Sequence, residues 1–103
     1  MRVLLHLSLL LAIVVSSPAQ SVKVMTYNIR YDTPVDSINQ WPKRMFKVIE
    51  LIRKYDPDIL GIQEALHHQV TDLLKSFPDY NYIGVGRDDG KDKGEFSAIL
   101  YKK

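Results

Sequence analysis

The sequence contains no cysteine. That excludes a disulfide framework, a thiolate zinc site and a thiol nucleophile, so any metal must be held by oxygen or imidazole ligands. A net excess of either charge is nearly absent as well. Fourteen Lys and Arg face twelve Asp and Glu, a net of +2, which is too little to imply nucleic-acid or membrane binding by charge alone. With 103 residues the chain is too short for two domains. No repeat, low-complexity tract or linker interrupts it.

What is present is unevenly placed. Thirteen of the first 19 residues are hydrophobic, and the only charged side chain among them is Arg2. Met1-Arg2 is a short positive start and Val3 to Val15 an apolar run. Ser16-Ser17-Pro18-Ala19 is a small-residue stretch with Ser17 and Ala19 in the positions of a cleavage site. As a helix the apolar run reaches about 20 Å, short of the roughly 30 Å of membrane hydrocarbon. The pattern predicts a secretory signal peptide over residues 1–19, cut after Ala19. The product, residues 20–103, is then expected to be secreted or periplasmic, with no stable membrane span.

From Ser21 to Ile29 the β-formers Val22, Val24 and Thr26 alternate, which predicts a strand. Arg30 to Gln40 holds Asp32, Pro34, Asp36, Ser37 and Asn39, the composition of a loop. Trp41, Met45, Val48, Ile49, Ile52 and Tyr55 follow at the spacing of one helical face, with Pro42 suited to the first turn and Asp56-Pro57 ending the helix. Asp58 to Glu64 is short and almost continuously apolar, as expected of a strand buried on both faces. Leu66, Val70, Leu73, Leu74 and Phe77 mark a second helix stopping at Pro78. Tyr80 to Val85 and Glu95 to Tyr101 read as further strands around a charged turn. The order is β-α-β-α-β-β, for which pattern alone suggests a small doubly wound parallel sheet.

In a right-handed β-α-β unit the carboxyl ends of both strands lie on one sheet edge, where open α/β sheets bind ligands. Asn28 ends the first strand and Glu64 the second, so an amide and a carboxylate converge. A carboxylate at the mouth of a buried strand must be hydrated, paired or bound to a cation. One carboxylate with neutral oxygens suits Mg²⁺, completed by waters and substrate phosphate oxygens. The alternative is that Glu64 caps the next helix, where the dipole favours its charge.

Two segments carry a family resemblance. Val24-Met25-Thr26-Tyr27-Asn28-Ile29-Arg30 resembles the opening strand of the endonuclease/exonuclease/phosphatase (DNase I-like) superfamily. Asp56-Pro57-Asp58-Ile59-Leu60-Gly61-Ile62-Gln63-Glu64 resembles its second motif. Trp41, Arg44, Gly84 to Gly90 and Gly94 to Ile99 are similar to a secreted bacterial branch. The resemblance implies the N-terminal part of a four-layer α/β sandwich, whose inner sheet face would here be left uncovered.

It also implies a metal-dependent phosphoesterase that attacks phosphorus with an activated water. Asn28, Glu64 and Glu95 would be active-site residues, with Glu64 and Asn28 at a Mg²⁺ or Mn²⁺ ion. Glu95 falls where the family carries a Glu that supports a catalytic His. Its alternative is a strand-end charge opposing Lys91 or Lys93. Arg30 and Arg87, each just past a strand end, are candidates for bidentate phosphate contacts, against the commoner solvated arginine. The family's later D-x-N and S-D-H motifs do not occur, so the expectation is a truncated, catalytically incomplete domain. The expected partner is a phosphoester, with nucleic acid not indicated by charge. The rival expectation is a secreted, non-catalytic α/β binding module.

Other features point away from chemistry. Gly84-x-Gly86-x-x-x-Gly90 lacks the spacing and the following helix of a dinucleotide loop. Asp88, Asp89 and Asp92 fail as an EF-hand because Gly90 occupies a ligand position, so Asp89-Gly90 reads as a turn. His67 and His68 are adjacent, about 100° apart on a helix, and cannot share one ion. The tyrosines and Trp41 lie on separate elements without a basic stripe, so they read as core or rim rather than as base-stacking platforms.

Overall fold

A computed structural model describes residues 17–103. The predicted signal segment, residues 1–19, lies almost wholly outside the described residues. Four strands and two α-helices follow: β1 (Val24–Asn28), α1 (Trp41–Tyr55), β2 (Ile59–Ala65), α2 (His67–Ser76), β3 (Tyr80–Ile83) and β4 (Phe96–Lys102). The stretch expected to be wholly loop contains a 3-10 helix, Pro34–Asn39, which Thr33 caps by accepting from the Val35 N–H. Proline at its start presets the backbone dihedral, and Ser37 breaks it with φ 48°.

The strand order is β1-β2-β4-β3. β1 and β2 are parallel, while β4 is antiparallel to both β2 and β3. The all-parallel sheet suggested by pattern alone is therefore corrected to a mixed sheet. Residues 84–95 join the last two strands without a helix, the usual crossover element of parallel neighbours, and the two strands pair antiparallel. Because β4 is reversed, β3 runs in the direction of β1 and β2. The carboxyl ends of β1, β2 and β3 and the start of β4 thus share one edge.

Side-chain alternation sorts the sheet into two faces. Leu60, Ile62, Phe96, Ala98 and Leu100 are buried beneath the helices, which contribute Trp41, Val48, Ile52, Val70 and Leu73. Truncating Leu60, which has no exposed surface, to Ala is expected to cost about 2–5 kcal/mol because a cavity remains. The opposite face carries Val24, Ile59, Ile83 and Ile99, which are 71%, 38%, 65% and 48% exposed. β2 is thus covered on one face only among the described residues, not on both as its apolar run suggested.

Trp41 opens α1 with its backbone N–H held by Asp32 Oδ1 at 3.2 Å. Its buried indole donates to Asp72 on α2 at 2.9 Å. These bonds satisfy the polar atoms that burying a tryptophan would otherwise strand. α1 ends at Asp56, a left-handed cap whose N–H donates to the Ile52 carbonyl.

Candidate active site

The shared edge forms an open cleft of about 670 Å³, lined by Asn28 from β1, Gln63 and Glu64 from β2, Gly84, Val85 and Arg87 after β3, and Glu95 and Ser97 at the start of β4. Residues distant in sequence meet because three strands end, and one begins, at the same place.

Glu64 reaches the cleft through a β-bulge. Ile62 pairs with Ala98 and Ala65 with Phe96, so Gln63 and Glu64 on β2 oppose Ser97 alone on β4. Strict alternation would put Glu64 on the face of Leu60 and Ile62, inside the core. The extra residue takes Glu64 out and returns Ala65 to the core, where it is fully buried. Glu64 adopts φ 60°, a left-handed conformation that is uncommon for a residue other than glycine. Strain of this kind persists only where the surroundings over-determine it. The helix-cap alternative for Glu64 is not what forms, since α2 begins three residues later, at His67, with Leu66 at its cap.

Asn28 Nδ2 donates to Glu64 Oε1 at 3.0 Å, and Asn28 Oδ1 accepts the Arg30 N–H at 2.9 Å. A backbone N–H can only donate, so the atom facing it must be the amide oxygen, and the NH₂ must face the carboxylate. The Asn28 amide thus links the Arg30 backbone to the Glu64 carboxylate. Thr26 and Gln63 pair beside them, with Gln63 Nε2 donating to Thr26 Oγ1 at 3.2 Å.

Glu95 opposes neither Lys91 nor Lys93. Its Oε2 pairs with Arg87 Nη1 at 2.6 Å, and Arg87 stays mostly exposed at the cleft mouth. Arg30 is not among the residues lining the cleft. Its guanidinium forms two 2.6 Å bonds to Asp36. That contact raises the Arg30 pKa and holds the Asp36 carboxyl below the usual carboxylate range. The edge therefore brings together Asn28, Glu64, Glu95 and Arg87, and leaves Arg30 engaged with Asp36. His67 and His68 take different partners, Asp92 at 3.8 Å and Asp32 at 2.9 Å.

Three lining residues carried a sequence signal that was not followed. Gln63 precedes Glu64 in the same motif, and Ser97 follows Glu95 across one residue. Gly84 is required sterically, because a Cβ there would lie 2.8 Å from that of Ala98.

No group of three or more His, Asp or Glu stands together as a ready metal cage among the described residues. The donor set still fits a hard divalent cation, since Glu64 is a carboxylate at an open cleft that forms no salt bridge among the described residues, with Arg30 near enough to feel its charge but bonded to Asp36. An ion bound through one carboxylate completes its shell with water and substrate oxygens, as Mg²⁺ commonly does.

A mixed sheet with helices on one face and a polar cleft at its strand ends defines part of a DNase I-like α/β fold. The profile of the Endonuclease/Exonuclease/phosphatase family matches residues 25–103, and the chain belongs to that family. It is similar to the endonuclease/exonuclease/phosphatase from Bacteroides vulgatus, with 47% identity and a TM-score of 0.79 over 82% of this chain and 33% of that one. A mannosyl-6-phosphatase from Bacteroides thetaiotaomicron is 45% identical, with a TM-score of 0.76 over 81% of this chain and 32% of that one. A further family protein from the same organism is 44% identical, with a TM-score of 0.77 over 82% and 31%. The chain spans about a third of the length of these relatives. Comparison with curated protein sequences returns no match.

Proposed function

We propose that the chain forms the cation- and phosphate-facing part of a secreted, Mg²⁺- or Mn²⁺-dependent phosphoester hydrolase. The observation that carries this reading is Glu64, set at φ 60° in a strand-end bulge and bonded to Asn28 at the cleft. A strained carboxylate without a salt bridge, at the edge where α/β sheets bind ligands, is what a cation site needs and a packed core does not.

Glu64 would hold the ion, with Asn28 fixing the carboxylate's orientation. A bound divalent cation supplies neutralisation of the charge that develops on phosphoryl oxygens. Arg87 is the phosphate contact the geometry favours, because its exposed guanidinium at the cleft mouth can offer two N–H groups to a phosphate. Glu95 holds that guanidinium over the cleft until an anion competes for it. The relative described as a mannosyl-6-phosphatase supports a phosphomonoester as the substrate class to test first. Secretion rests on the sequence of residues 1–19 alone.

Calorimetric titration of Mn²⁺ into the chain tests the reading. One site is expected, weakened by about 10- to 100-fold or more by Glu64→Gln, since losing even an outer-shell partner of a metal ligand typically costs that much. Unchanged affinity would favour the non-catalytic binding module. Inorganic phosphate, titrated in the presence of Mn²⁺, is expected to bind more weakly to Arg87→Ala than to the wild type.

A further inference from the structure

We propose that Gln69, on α2 and outside the cleft, is the positioning residue that holds Asn28 and Glu64 in register with one another. The inference rests on the cation-site reading above.

Gln69 has no exposed surface, and its amide uses three hydrogen bonds, all to backbone. Its Oε1 accepts the Leu66 N–H at 3.0 Å and the Asp32 N–H at 2.9 Å, and its Nε2 donates to the Arg30 carbonyl at 2.9 Å. The bond to Leu66 is ordinary, since a glutamine three residues into a helix commonly reaches back to the cap N–H. The other two are not explained by capping, because they reach 37 and 39 positions back in the chain.

Their targets decide what they do. Leu66 lies two residues after Glu64, and Arg30 lies two residues after Asn28. One buried amide therefore ties the segment leaving β1 to the segment leaving β2, just beyond the two side chains that meet at 3.0 Å. Arg30 is itself in the left-handed region at φ 56°, which aims its N–H at Asn28 Oδ1. Its carbonyl also accepts from Arg44 Nη2 at 2.6 Å. Two donors from two helices thus hold a strained residue in the conformation that sets the Asn28 amide. A carboxylate at position 69 would keep both acceptor bonds and lose the donor. An aliphatic side chain would lose all three bonds and strand buried backbone groups.

The experiment uses the full chain with Mn²⁺ as the probe, comparing wild type, Gln69→Glu, Gln69→Leu and Val70→Ala. Mn²⁺ affinity is read by calorimetry, and the Asn28 side-chain amide by NMR. Val70→Ala removes buried methyls from the same helix and measures what lost stability does by itself. Both Gln69 variants are expected to lose about 10- to 100-fold in Mn²⁺ affinity, the usual effect of removing an outer-shell support. The Asn28 amide proton bonded to Glu64 should move upfield in both, with Val70→Ala unchanged in both readouts. If Gln69→Leu fails to fold, Gln69→Glu decides.

Affinity within about twofold of wild type for Gln69→Glu, well outside that range, or an unmoved Asn28 amide, would overturn the proposal. If the wild type binds no Mn²⁺, or Glu64→Gln binds as tightly, the cation reading fails instead. The staple is then judged by the Asn28 amide alone: moved in Gln69→Glu but not in Val70→Ala if it holds, unmoved in both if it does not.

Discussion

The two edges of the sheet treat their charges differently. Where β1 and β2 begin, acids and bases neutralise one another. Asp56 meets Lys102 at 2.9 Å and Lys23 at 3.7 Å, while Asp58 accepts the Lys23 N–H at 2.8 Å and lies 3.5 Å from Lys102. Where those strands end, Arg87 pairs with Glu95, but Glu64 has an amide partner and no salt bridge among the described residues. Backbone strain divides in the same way. Asp56 is left-handed at φ 45° because it ends a helix, a routine position for that conformation. Glu64 is left-handed at φ 60° at the penultimate position of a strand, where the conformation serves no capping purpose. One edge neutralises its carboxylates in ion pairs, and the other leaves Glu64 unpaired by any salt bridge and in a strained conformation.

The sharpest way to break this contrast is by cation binding. Asp56→Asn and Asp58→Asn are expected to leave Mn²⁺ affinity within about twofold of wild type, while Glu64→Gln loses about 10- to 100-fold. Equal effects at both edges would erase the distinction. A smaller effect separates strain from structure. Glu64→Gly should relax the left-handed residue and raise stability in a thermal melt by about 1 kcal/mol, at the cost of cation binding. A fall in melting temperature would show that the Glu64 side chain stabilises the free fold.

The smallest effects lie at the neutralised edge. The Lys102 ammonium holds the Asp56 carboxyl below the ordinary range, and the Lys23 N–H does the same for Asp58. A depressed carboxylate pKa contributes stability that is complete above the unfolded value, about 4, and is lost as pH falls through the folded value. Melting temperature should therefore drop on the acid side, and Asp58→Asn should flatten part of that limb. Asp36 beside Arg30 adds to the limb with the same sign. Lys102, raised by Asp56, acts oppositely, its contribution being lost as pH rises through its folded value.

The two faces repeat the contrast in apolar form. Ile99 and Ile83 stand side by side on the open face, and such a surface binds hydrophobic dyes. Fluorescence of a dye such as anilinonaphthalene sulfonate should rise with the folded chain and fall with Ile99→Thr. A monomer that melts cooperatively and binds no dye would contradict an open face.

Most elements were legible because their periods were clean. The stripe from Trp41 to Tyr55 became α1, with Tyr55 itself exposed, and the apolar run after Asp58 became β2, its ends shifted by a residue. The 3-10 helix at Pro34–Asn39 was missed because its turn-forming residues look the same whether they form a loop or a short helix. The convergence of Asn28 and Glu64 followed from parallel strands. The pairing of Arg87 with Glu95, and the occupation of Arg30 by Asp36, did not, since a guanidinium's partner depends on which loop folds beside it.

By itself the sequence determined the elements, the absence of thiol chemistry, and the family whose strand-end residues it carries. These depend on local periodicity and on motifs read along the chain. Only the tertiary structure decided that the sheet is mixed, that a bulge turns Glu64 out of the core, and that Gln69 spans two loops from beneath. Each of these is a relation between segments distant in the sequence, fixed by hydrogen bonds and packing that exist only once the strands and helices have come together.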